Sequence, residues 1–107
     1  MTAWLCLLLA GLFEIIWAMT LKYSDGFTRL WPSLATAAAV ALSFGFMAVS
    51  LKTLPFGTVY AVWGGIGAAG TMVIGMLAFG DSTDALRVAS LLLILVGLVG
   101  LKLATPY

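Results

Sequence analysis

Apolar residues run along this chain in long stretches, and polar residues gather in three short breaks between them. From Ala3 to Leu21 a single charge, Glu14, interrupts the run, and Leu30–Leu51, Thr53–Gly80 and Val88–Leu101 carry none. The runs are continuous, without the alternation that membrane β-strands of about ten residues require. As helices the first three reach about 28 Å or more, at roughly 1.5 Å per residue, enough to cross a hydrocarbon layer of about 30 Å. The fourth is shorter, but it spans if Arg87 and Lys102 snorkel and the helix covers about 85–104. The pattern predicts an all-α membrane protein with four transmembrane helices, at about 3–21, 31–51, 55–79 and 85–104, forming one domain over 1–107.

The breaks fit this division. Tyr23–Arg29 is a polar turn, Lys52-Thr53-Leu54-Pro55 is a tight one, and Pro55 suits a helix start. Gly80 can be the C-cap of span three, with Ser82, Thr83 or Asp84 as the N-cap of span four. Trp4, Tyr23, Trp31 and Tyr107 fall near span ends, where aromatic belts form. The first segment reads as a span and not as a cleaved signal, because it lacks a basic leading region and Glu14 interrupts its apolar core.

Composition removes most other classes. Of 107 residues, 64% are hydrophobic and only five are basic and four acidic. A soluble domain of this size needs about three times as many charges. A net charge of +1 leaves no basic patch for nucleic acid. There is no histidine and one cysteine, Cys6. Disulfide frameworks, Ser-His-Asp triads and His- or Cys-based metal centres are excluded. The expectation is a protein without cofactor or metal that is not an enzyme.

Four spans put both termini and the Lys52 loop on one side of the membrane. That side receives Lys52 and Lys102, and the other Lys22, Arg29 and Arg87. Orientation follows an excess of Lys and Arg on one side, and this near balance permits insertion both ways and hence an antiparallel homodimer. A single orientation set by the one-residue bias is the alternative. Ser90, Leu93, Ile94 and Gly97 recur at helical spacing on span four and offer a dimer contact with small residues, unless Gly97 and Gly100 pack within one subunit.

Glu14 lies about 16 Å along span one from Ala3, near the bilayer centre. A carboxylate there costs several kcal/mol unless it meets water or a cation, and every Lys and Arg falls at a span end. An apolar setting favours its neutral form, so Glu14 can hold a proton and yield it to an arriving cation. Proton and cation would compete for one carboxylate, which is the requirement for proton-coupled exchange. Trp17 shares the Glu14 face, and Tyr60 and Trp63 share a face of span three. Aromatic faces attract cations, and the Tyr60 hydroxyl can reach a carboxylate. Ser43, the deep hydroxyl of span two, could orient Glu14. Each aromatic read alone is better taken as a packing or lipid-facing residue, and it is the three together beside a lone carboxylate that favour a cation site. Gly64, Gly65 and Gly67 allow a bend in span three that would let a subunit take two shapes; tight packing is the other use for them. A passive channel or a non-transporting subunit would need no titratable Glu14 with aromatics around it.

Gly11-Leu12-Phe13-Glu14-Ile15-Ile16-Trp17, the run Leu21–Leu30, Leu54-Pro55, Gly57–Trp63, Gly65-Ile66-Gly67 and Gly97–Lys102 together resemble the small multidrug resistance family over nearly the whole chain. Trp17 and the Gly100-Leu101-Lys102 ending are similar to its guanidinium-exporter branch. The resemblance implies an antiparallel, dual-topology homodimer in the bacterial inner membrane that exchanges protons for guanidinium or small substituted guanidinium ions. Glu14 would be the shared ligand, Trp17, Ser43, Tyr60 and Trp63 would complete the site, and span four would supply the dimer contact. Planar guanidinium presents N–H donors in a fork that matches carboxylates. The branch usually has a hydroxyl residue where this chain has Gly64, which implies a looser pocket. Ser90 stands where the family usually has glycine. A broader exporter of quaternary ammonium and aromatic cations is the alternative.

Overall fold

The computed structural model describes residues 2–105; Tyr107, expected near a span end, lies outside them. Four helices fill the described chain: α1 (Thr2–Tyr23), α2 (Leu30–Ser50), α3 (Phe56–Ala78) and α4 (Ala85–Ala104). Each is long and apolar enough to cross a membrane. α1 packs against both α2 and α3, whereas the backbone of α4 packs against α3 alone. The core is small and lies toward the start of α1, where Ala3 and Leu7 meet Leu54, Val59 and Val62.

Side chains at the turns explain where the helices stop. Ser24 is fully buried. Its hydroxyl donates to the Leu21 carbonyl at 2.7 Å and accepts the Phe27 N–H at 3.1 Å. Its carbonyl accepts the N–H groups of Thr28 and Arg29, at 2.9 and 3.0 Å. Closing this knot places Asp25, Gly26 and Phe27 in succession at positive φ, at 50°, 72° and 68°, a region that costs residues with a Cβ. The simple polar turn expected here is thus a wound loop tied to Ser24. Pro55, expected as the first residue of the third helix, is its N-cap, with φ −58° and ψ 143°. α3 ends at Ala78 with Phe79 as C-cap. The chain reverses at Gly80, φ 72°, and the Asp81 N–H reaches back to the Gly75 carbonyl at 3.0 Å.

Of the three N-cap candidates for α4, Asp84 takes the position. Its carboxylate accepts the Arg87 N–H at 2.9 Å and the Ser82 hydroxyl at 3.1 Å. The first of these bonds does most to hold the Asp84 carboxyl below its ordinary range, because it favours the charged form. Beyond its cap α4 is largely open. Leu91 is its one buried residue among those described, and Leu93 is 73% exposed.

Candidate functional site

Glu14 sits midway along α1 and faces α3. Its carboxyl lies against the Cα of Gly67, so close that a Cβ at position 67 would overlap it. The gap that glycine leaves in the wall of α3 is therefore what seats the acid. Glu14 Oε2 is shielded from solvent and has no hydrogen-bond partner. One turn on, the indole N–H of Trp17 is in the same condition. A buried acceptor and a buried donor thus stand unsatisfied on neighbouring turns of one helix, where most such groups find partners.

Ser43 and Trp63, by contrast, are hydrogen-bonded. Ser43, fully buried on α2, donates to the Ala10 carbonyl at 2.7 Å. Trp63 Nε1 on α3 donates to the Ser43 hydroxyl at 2.9 Å. These two bonds tie three helices together. The expected orienting bond from Ser43 to Glu14 is replaced by one to the α1 backbone. Ala10 is four residues before Glu14, so its carbonyl is the one an α-helix pairs with the Glu14 N–H. Ser43 consequently clamps the turn that carries Glu14 without touching its carboxyl.

Tyr60 is 61% exposed. Its ring meets Trp63 at 5.9 Å between centroids, but within this chain no hydrogen bond joins its hydroxyl to Glu14 among the described residues. Phe44 meets Trp63 in an edge-on arrangement with 5.7 Å between centroids, and Phe13 stacks on Phe46 at 5.8 Å. These phenylalanines were not singled out from the sequence, where a Phe in an apolar run carries no polar signal.

The glycines of α3 divide by what they face. A Cβ at Gly64 would meet nothing within 4 Å, whereas at Gly65 it would meet the Leu98 side chain at 2.5 Å. α3 runs without interruption through all three expected hinge positions, and Gly65 and Gly67 are committed to close contacts. On α4, Ser90, Leu93 and Gly97 are exposed and Ile94 is half-buried. The Ser90 hydroxyl is turned back to the Leu86 carbonyl at 2.8 Å, and a Cβ at Gly97 would meet nothing within 4 Å.

Residues 2–94 match the family model of the Small Multidrug Resistance protein. Over 103 residues, 96% of this chain, it is 53% identical to a guanidinium exporter of Yersinia pseudotuberculosis serotype I (strain IP32953), with 99% of that protein covered. It is 50% identical over the same length to a guanidinium exporter of Proteus vulgaris, again with 99% covered. With a guanidinium exporter of Escherichia coli (strain K12) it shares 48%, with 98% of that protein covered.

Proposed function

Because this chain belongs to the small multidrug resistance family, we propose that it is a proton-coupled antiporter that exports guanidinium, and small substituted guanidinium ions, across the bacterial inner membrane. Its four apolar helices are those of a multi-pass membrane protein. The observation that carries the reading is the unsatisfied carboxyl of Glu14, deep in a membrane helix and seated on Gly67. On insertion scales a charged carboxylate at the centre of a membrane helix costs about 3 kcal/mol. That cost falls when the group is protonated or bound to a cation, and each of these displaces the other.

The working unit is an antiparallel, dual-topology homodimer, joined through Ser90, Leu93, Ile94 and Gly97 of α4. In it two Glu14 side chains, one per subunit, take the N–H fork of guanidinium in the plane of their carboxylates. Trp17 narrows the site against bulky cations, and Tyr60 and Trp63 offer ring faces to the charge. Ser43 holds the Glu14 turn in register. A change of shape centred on Gly64, Gly65 and Gly67 turns the loaded site from one face of the membrane to the other.

The open space at Gly64 favours a second reading, in which the pocket also takes quaternary ammonium and aromatic cations. Reconstituted liposomes on a solid-supported membrane separate the two. Guanidinium should evoke transport currents that collapse an imposed pH gradient and vanish in Glu14→Gln. Coupled currents persisting in that variant would end the proton-site role. Equal currents with a tetraalkylammonium ion would favour the broader exporter. Cysteines placed in the α2–α3 connection should label from both sides of the membrane; labelling from one side alone would remove dual topology.

A further inference from the structure

α4 packs its backbone on α3 only, and this leaves a furrow between α4 and α1. Two adjoining hollows that share Ile66 and Leu98 make up the furrow. The larger, about 360 Å³, ends at Trp4 and Lys102. The other, about 240 Å³, continues past Ile15 to Leu91. Lys102 is the one charged residue lining either hollow. Its ammonium stands over the Trp4 ring, 4.6 Å from the centroid.

The geometry matches one leaflet of a bilayer. From Lys102 to Leu91 the furrow follows about 16 Å of helix, close to half of a hydrocarbon core of about 30 Å. Its apolar walls lie on spans that cross that core, and its single cation lies at the end nearest the membrane surface. Leu91, Leu95, Leu98 and Lys102 share one face of α4, at i, i+4, i+7 and i+11. Ser90, Leu93, Ile94 and Gly97 fall on a different face, so the furrow is separate from the proposed dimer contact.

Charge points the same way. Asp25, Asp81 and Asp84 all lie in the α1–α2 and α3–α4 connections, and Glu14 lies within α1. The side of the membrane that holds Lys102 and Lys52 therefore has no carboxylate side chain among the described residues. Among the described residues, no carboxylate side chain on that side competes with an external anion for Lys102.

We propose that the α1–α3–α4 furrow is a binding site for an anionic phospholipid, with one acyl chain along Ile66 and Leu98 and the phosphate at Lys102. Native mass spectrometry of the purified full chain gives the test, with phosphatidylglycerol, phosphatidylcholine of the same chains, and inorganic phosphate as probes. One lysine beside an anionic headgroup should make phosphatidylglycerol bind about fivefold more tightly than phosphatidylcholine. Lys102→Gln should remove that preference and Lys102→Arg should keep it. Val99→Trp, which fills the furrow, should weaken both lipids, and phosphate alone should not bind. Equal affinity of the unaltered protein for the two lipids would overturn the proposal, as would a preference undiminished in Lys102→Gln. Disulfide-linked dimers of Val99→Cys on a Cys6→Ser background would assign the furrow to a second copy of the chain and would overturn it too.

Discussion

Gly67→Ala is the sharpest probe of how the acid is seated. The new methyl would occupy the space now held by the Glu14 carboxyl. Either α3 moves away from α1 or the acid leaves its position. Overpacking of this kind costs about 1–3 kcal/mol, and moving Glu14 some 30° off its rotamer costs about 0.5–1.5 kcal/mol. The same change raises helix propensity by about 1 kcal/mol, so global stability should shift by less than about 2 kcal/mol. The damage should appear in the site. Guanidinium affinity, read by titrating currents in liposomes, should fall by about tenfold or more, equivalent to roughly 1.4 kcal/mol. Gly45→Ala, inside α2 and away from the site, serves as the control, because its methyl meets nothing within 4 Å and receives the same propensity gain. Adding Glu14→Asp to Gly67→Ala shortens the acid by one methylene, and the two changes should then be less damaging together than their sum. Unaltered affinity in Gly67→Ala, or the same loss in Gly45→Ala, would refute the idea that Gly67 makes room for the carboxyl.

Ser43→Ala should destabilise the fold by about 1–3 kcal/mol, because it leaves the half-buried Trp63 N–H without its acceptor; unfolding of the purified protein measures it, and the loss should be strongly non-additive with Trp63→Phe. Asp84 gives a pH signature outside the membrane. Its carboxyl is held below the ordinary range in the fold, so the cap is complete above the unfolded value of about 3.9 and is lost as pH falls through the folded one. The Arg87 amide resonance should titrate with a midpoint below that unfolded value, and a midpoint at or above it would show that the cap is not formed.

The lengths and positions of the apolar runs determined, without any tertiary information, that four membrane-crossing helices would form. A backbone in oil must satisfy its own hydrogen bonds, and helices do this within each segment. Glu14 was legible for a related reason: a carboxyl in such a run has no local partner, and its oddity survives any arrangement of the helices. The Asp84 cap was nearly legible, because three adjacent candidates could serve and geometry had only to choose one. What tertiary structure decided were the pairings across helices. Gly67 reads in sequence as one flexible residue among several, and only the packing of α1 on α3 shows that its missing Cβ seats the acid. Ser43 reads as a partner for Glu14, yet it reaches the Ala10 carbonyl and the Trp63 indole because helix rotation aims it one turn away. The Ser24 knot and the furrow beside α4 left no trace in the pattern of apolar and polar positions. That pattern reports which residues leave water, while their neighbours are set by the rotation and separation of whole helices.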